Sequence, residues 1–419
     1  MVTQKAFINT ILVYLLLLTS GSQLGMESTN RTLIAAFFIA LIAWYVLTNR
    51  KIGDGFLLYC ILFMGFLFSL SLYTSGSLSV QSAISTVMRL VLAYLVLRTV
   101  GENFTDTYVK LLGFLAAISL FGYLSDILLL FDGLINKLPQ FGQGVGYDGI
   151  FYVYRDPGWA DRNKSIFFEP GAYSGFLNAA LFILFFTKNN YGHWKRWVYI
   201  FVLVTALITT FSTTGFVIFS VGFALFLYRS EIISFSGKVV MVGLTIVIVG
   251  IFAAQFHSII VVKLSDYLDP QEALRGHSAT GRSYDALTDL KIFKKHVFGL
   301  GFDNYKKEFL ANAKTIGAAS EIVAADGQEK EWGLSSNGVT RTFAQYGLPF
   351  ALFYFISQYW AIRKILGGGL IAYTAFIMFM LFLAGESYYT MTPVIFAILA
   401  AAFLVNRVPV EKGLQHDAA

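Results

Sequence analysis

The chain has 419 residues, 56% of them hydrophobic and only 13% charged, with a mean hydropathy of +0.65. A soluble globular protein carries about 25% charged residues, and half that density leaves too little polar surface to solvate a body of this size. Composition therefore excludes the two or three soluble domains that length alone would permit, and the net charge of +6 is scattered between hydrophobic runs, which reports membrane orientation rather than a nucleic-acid partner.

Several runs approach the ~20 apolar residues that cross a bilayer. The alternation of barrel strands is absent, so the expected fold is an all-α polytopic membrane protein of about 12 transmembrane helices. In chain order the spans are Ala6–Met26, Thr32–Leu47, Phe56–Leu72, Val80–Val100, Tyr108–Phe131 and Ala172–Thr187. Val198–Phe211 and Thr213–Tyr228 form a pair with almost no linker, followed by Val239–Phe256, Val339–Ile362, Leu370–Leu383 and Pro393–Val405. Five regions result: N-terminal helices (1–131), a first outward loop (132–171), central helices (172–256), a second outward loop (257–338), and C-terminal helices with a short tail (339–419).

Lys and Arg in the short loops set the orientation. Arg50 and Lys51, Arg98, Lys188 with Lys195 and Arg196, Arg229 with Lys238, and Arg363 with Lys364 fall in alternate loops, and Arg407 and Lys412 in the tail. Arg31 is the main exception, and both termini are expected in the cytoplasm. The short apolar run Ile11–Leu18 also has the form of a signal peptide, whose removal would leave the other spans oriented as they are.

Long loops are usually functional or disordered. The first mixes Phe151, Tyr152, Tyr154 and Trp159 with Arg155, Arg162 and Lys164, the composition of an interfacial segment at headgroup level. The second contains a helix-like stretch, Ser283–Lys295, with Ala286, Leu287, Leu290 and Phe293 on one face and Lys291, Lys294 and Lys295 elsewhere, and is expected to form a small outer subdomain.

The single cysteine, Cys60, excludes an intrachain disulfide and a thiolate metal cluster. No phosphate-binding loop is present, and Gly299-Leu300-Gly301 lacks the third glycine of a dinucleotide fingerprint and is read as a turn. His257, His277 and His296 have no metal-ligand spacing, so neither cofactor nor metal is expected. What remains is a set of arginines and carboxylates at the outer ends of helices. Glu169 precedes Pro170, which suits the first turn of a helix; it is either a catalytic carboxylate or a helix cap. Arg275 and Arg282 belong either to a site or to a solvated face. Ser335-Ser336-Asn337-Gly338 leads to Arg341 at the mouth of a span, and Glu386 lies on the outer side of the last helix pair. Arg89 stands mid-span, where an arginine costs about 2.5–3.5 kcal/mol and marks either function or a buried ion pair. Arginines bind pyrophosphate oxygens bidentately and stay charged at every working pH. Several of them at the outer leaflet, with aromatics and carboxylates, describe a site for a sugar carried on a lipid pyrophosphate.

Phe168-Glu169-Pro170-Gly171 before a span, Thr280-Gly281-Arg282-Ser283 with Gly299-x-Gly301 in a large outer loop, and Ser336-Asn337 before the next span resemble the Wzy-type O-antigen polymerases and the related ligases. The resemblance implies a GT-C-like membrane fold and a bacterial inner-membrane location with periplasmic loops. It further implies glycosyl transfer from undecaprenyl pyrophosphate without nucleotide or metal, and a chain-length regulator as a further partner. That superfamily often has His-Asn where this chain has Ser336-Asn337, and ligases in particular use the histidine, which favours polymerase over ligase. The expected roles are Glu169 as base and Arg282 as catalytic cation, with Arg89, Arg155, Arg162, Arg275, Asn337, Arg341 and Glu386 binding pyrophosphate or glycan. A lipid-linked oligosaccharide flippase is the alternative of a different class. Two large outer loops and the lack of visible repeat symmetry weigh against it.

Overall fold

The computed structural model describes residues 2–23, 31–47, 53–74, 80–130, 147–154, 161–186, 191–230, 278–316, 335–366 and 368–385, with 133, 234, 236, 237 and 243 besides. Within them the chain is all-α apart from one short antiparallel pair of strands, Tyr147–Asp148 and Val153–Tyr154. The helices are α1 (Val2–Leu18), α2 (Arg31–Leu47), α3 (Asp54–Tyr73), α4 (Val80–Val100), α5 (Phe104–Ile127) and α6 (Pro170–Phe186). There follow α7 (His193–Thr209), α8 (Thr213–Arg229), α9 (Ser278–Lys295), α10 (Gly301–Ile316), α11 (Gly338–Leu366) and α12 (Gly369–Gly385).

Ten of the expected spans fall on helices, the first, Ala6–Met26, only as far as Leu18, because uninterrupted apolar runs favour the one conformation that satisfies its backbone internally. The other two, Val239–Phe256 and Pro393–Val405, lie outside the described residues but for Gly243. Two helical stretches, Gly55–Tyr73 and Phe104–Ile127, are long and apolar enough to cross a membrane. Five further apolar helices, among them Pro170–Phe186 and Thr213–Arg229, reach at most 17 residues. At 1.5 Å per residue that is about 26 Å, slightly short of a typical hydrocarbon core.

Packing joins these helices around one hydrophobic core that includes Leu16, Tyr108, Phe167, Tyr173, Leu203 and Leu383. Helix α5 packs on α1, α6 and α7; α8 packs on α6 and α12; α12 also packs on α11. Small residues bring α6 and α8 close: the Ser174 hydroxyl donates to Ser212, and the Asn178 amide donates to the carbonyls of Ser174 and Gly215, each at 2.9 Å. The faces turned away from this core stay apolar, with Leu62, Phe68, Leu72, Phe121, Leu124 and Phe201 exposed.

Three expectations change. The end of the first loop, which leads into α6, does not lie along a surface, although Ile150 and Phe151 are exposed. Asn163, Lys164, Ser165, Ile166 and Phe167 are buried, held by bonds from Gln23 N–H to the Ile166 carbonyl and from Phe168 N–H to the Gly21 carbonyl. Helix α9 begins at Ser278, five residues before Ser283, so Thr280-Gly281-Arg282-Ser283 lies within its opening turns rather than in a loop. The span expected over Val339–Ile362 is two helices in line, broken at Gly347 (φ 81°, ψ 170°) two residues before Pro349.

Candidate functional site

Two carboxylates four residues apart share a face of a helix, and on α9 that face is turned inward. Asp289 is fully buried and accepts hydrogen bonds from the hydroxyls of Tyr305 on α10 (2.7 Å), Ser335 (2.7 Å) and Thr340 on α11 (2.8 Å). One side chain thus ties together two further helices and the turn that opens α11. Burial pushes the Asp289 carboxyl up to about 7; the three hydroxyls pull it down and the neighbouring Asp285 adds to the rise. One turn earlier, the Oδ2 of Asp285 accepts from both the N–H and the hydroxyl of Ser336, each at 2.8 Å.

These bonds shape the turn that opens α11. Asn337 is its N-cap: Oδ1 accepts from the N–H groups of Val339 and Thr340 at 3.1 Å, satisfying two donors that a helix start leaves open. The Asn337 N–H donates to Ser335 Oγ. One turn on, Arg341 donates from Nε to Gln345 (3.2 Å) and from Nη1 to the Ser335 carbonyl (3.4 Å), with its guanidinium 5.8 Å from the Tyr305 ring centroid. Asn337 and Arg341 therefore belong to one cluster with Asp285, Asp289, Tyr305, Ser335 and Ser336.

The glycine pair read as a turn has a mechanical role here. Gly299 has φ +86°, and a Cβ on it would stand 2.5 Å from the Tyr346 carbonyl carbon; a Cβ on Gly347 would stand 2.2 Å from that of Phe298. Backbone therefore lies directly on backbone, and the groups released by the break in α11 are taken up by the turn. The Leu300 N–H donates to the Gln345 carbonyl (3.1 Å) and the Leu348 N–H to the Val297 carbonyl (2.8 Å). This contact fixes α9 and α10 against the head of α11.

The first-loop candidates sit in different company. Glu169 is at the N-terminal edge of α6, its carbonyl accepting from Tyr173 N–H at 3.3 Å, as Pro170 at the first helical position requires. Arg162 donates from Nε to the Thr210 carbonyl (3.0 Å) and from Nη2 to the Phe211 carbonyl (3.2 Å), closing the C-terminal end of α7, where a cation complements the helix dipole. Asn163 donates to Ser119 and Thr209, and Lys164 to Gln23. Arg89 lies within α4 with its side chain half-buried. Arg282 lies on α9 one turn before Asp285; Arg155, Arg275 and Glu386 fall outside the described residues. No group of three or more His, Cys, Asp or Glu side chains among the described residues converges as a metal site does.

Asp285, Asp289, Tyr305 and Thr340 were not among the residues expected from sequence. Their one signal is a pair of acids four apart, facing a Ser-Ser-Asn turn and a further threonine. No family model matches the chain, and no curated protein matches it.

Proposed function

We propose that the chain is a polytopic inner-membrane polysaccharide polymerase of O-antigen type, with both termini cytoplasmic and its site at the periplasmic face. It joins two oligosaccharides carried on undecaprenyl pyrophosphate. The observation that carries this reading is the cluster at the head of α11, where Asn337 and Arg341 share one ordered turn with two carboxylates at the end of an apolar helix bundle. The exposed apolar faces and the helices of spanning length support the bilayer setting.

In the reaction, a hydroxyl at the non-reducing end of one repeat unit forms a bond to the anomeric carbon of the sugar on the other lipid. The bond from that carbon to the pyrophosphate oxygen breaks, and undecaprenyl pyrophosphate leaves with the electron pair. A carboxylate takes the hydroxyl proton, with Glu169 and Asp285 as candidates. Arg341 and Arg282 stabilise the charge that grows on the leaving pyrophosphate. Arg162 is given a structural part here, its guanidinium donating to the carbonyls that end α7.

The test is purified protein in nanodiscs with a defined lipid-linked repeat unit, scoring polymer length and release of lipid pyrophosphate. Wild-type protein is expected to give a ladder. Arg282→Lys should be nearly as damaging as Arg282→Ala, a drop of about ten- to hundredfold in rate, because a point charge cannot replace a bidentate fork. Movement of the intact lipid-linked unit across vesicles with no polymer and no pyrophosphate release would identify a carrier and overturn the proposal.

A further inference from the structure

Helix α9 packs Ile292 and Phe293 into a small core with Tyr305 and Phe309, yet turns other apolar residues outward. It buries Thr288, Asp289 and Ile292 completely, and exposes Leu287 (57%) and Leu290 (43%). Continuing along the same stripe, at the spacing of successive helical turns, come Lys291 and Lys294, both exposed, and then Phe298 (62% exposed) in the turn that ends the helix. Lys295 is directed elsewhere, 3.6 Å from Glu308 on α10. The outward stripe is thus Leu-Leu-Lys-Lys-Phe. Apolar bodies beside cations on flexible stems match a headgroup layer, where the stems lie in the apolar boundary and the ammonium groups reach anionic oxygens.

The position of the stripe is fixed independently. The Phe298 ring stands edge-on to Tyr73, 6.2 Å between centroids, and Tyr73 is the last residue of a helix long enough to cross a membrane. The Asn304 amide at the start of α10 donates to the carbonyl of Thr74, the residue that caps the same helix, at 3.2 Å. The subdomain is therefore seated on one end of α3, at the depth where its apolar length stops.

We propose that the stripe formed by Leu287, Leu290, Lys291, Lys294 and Phe298 rests on the headgroup layer of the leaflet at that end of α3, with anionic lipid headgroups as its partner. This rests on α3 spanning the bilayer and is independent of the polymerase reaction. Docked so, the Asp285–Asp289 face of α9 is held at a set height above the hydrocarbon, the level at which a lipid-linked pyrophosphate presents its sugar.

The experiment uses the full chain with Cys60 replaced by Ala and a single cysteine introduced as Leu287→Cys, Leu290→Cys or Phe298→Cys, each labelled with a fluorophore. Nanodiscs carry nitroxide lipids with the label near the headgroup or deep in the acyl chain, and iodide serves as the aqueous quencher. Labels at 287, 290 and 298 should be quenched by the shallow nitroxide and shielded from iodide. Quenching by iodide alone would place the stripe in water, and protection from all quenchers would place it under protein; either overturns the proposal. Phe68→Cys on α3 should respond to the deep nitroxide, and its failure to do so would remove the spanning premise and the docking with it. Adding phosphatidylglycerol to phosphatidylcholine discs should raise shallow quenching at Leu290→Cys, and Lys291→Glu with Lys294→Glu should abolish that rise at unchanged Tm. A response indifferent to lipid charge would overturn the anionic partner.

Discussion

Two stretches of irregular chain each lead into a long helix, residues 161–169 into α6 and 335–337 into α11, and they use their polar side chains in opposite ways. In the first, Arg162 is committed to main-chain carbonyls of a neighbouring helix end, and Asn163 and Lys164 to uncharged oxygens. In the second, hydroxyls converge on carboxylates, and a guanidinium lies over a tyrosine ring. A cation donating to helix-end carbonyls performs a structural task in every protonation state. A buried carboxylate supplied only by neutral hydroxyls keeps its charge adjustable. The difference separates two regions that look alike in sequence as arginines and acids near a span.

The sharpest way to break the comparison is Asp289→Ala. It leaves three hydroxyls without their acceptor, the buried ones of Tyr305 and Ser335 and the half-buried one of Thr340, at about 1–3 kcal/mol for each that finds no substitute. Thermal unfolding in detergent should drop by several kcal/mol, and limited proteolysis should open the 278–316 region first. Asp289→Asn should fall between it and wild type, because Ser335, Thr340 and Tyr305 can each reverse a hydroxyl and accept. A wild-type melting curve for Asp289→Ala would remove the residue as the post that joins α9, α10 and α11.

A smaller loss is expected for Arg162→Ala. The cation at the end of α7 disappears with its two carbonyl bonds, a loss of up to about 2 kcal/mol for a partly buried helix terminus, and Arg162→Lys should recover part of it. Once expression is matched by immunoblot, polymer length should be that of wild type. Shortened polymer from stable, well-expressed Arg162→Ala would return this arginine to the chemistry.

The smallest effect is the response to pH. Asp289 has a folded value near 7 against an ordinary 3.8, so the folded chain holds a proton that the unfolded chain releases. Stability therefore falls as pH rises from about 4 through about 7 and levels off above. Wild-type Tm should be lower at pH 8 than at pH 5.5, on the order of 2–4 °C, and Asp289→Asn should flatten that difference. A Tm that rises over the same interval would contradict the assignment.

The ten helices that match expected spans were legible because their apolar runs are long and unbroken, as in Phe56–Leu72. The existence of α9 was legible too, but its facing was not. Ala286, Leu287, Leu290 and Phe293 formed an apparent inner face only under the assumption that water lies outside, and Leu287 and Leu290 are in fact exposed. The same assumption hid Asp285 and Asp289, since acids among lysines on a helix read as a solvated surface. Helix α10 has few apolar residues, and its anchors Tyr305 and Phe309 form too short a pattern to announce it. The break in α11 was written in Gly347 and Pro349, yet apolar residues on both sides let the two halves pass for one span. Arg162 and Lys164 misled for a related reason: charge in a loop suggests a surface, while here the Thr210 and Phe211 carbonyls at the end of α7 and the Gln23 side chain hold both of them.

The break at Gly347 has a further consequence for how α11 carries information along its length. A continuous helix imposes one angular phase, so that each residue's bearing is set by every residue before it. At φ 81° the phase is reset, and the turn at 297–300 rather than the preceding helix determines the new starting angle. The bearing of Arg341 is thereby uncoupled from that of Tyr354 or Trp360. The upper half answers to the carboxylates of α9 while the lower half answers to α3 and α12, and the two meet across the break where Tyr346 packs on Phe350 and Phe343 on Phe355. Substitutions in the lower half away from Phe350 and Phe355 should leave the head of the helix in register, because its starting angle is set by the 297–300 turn.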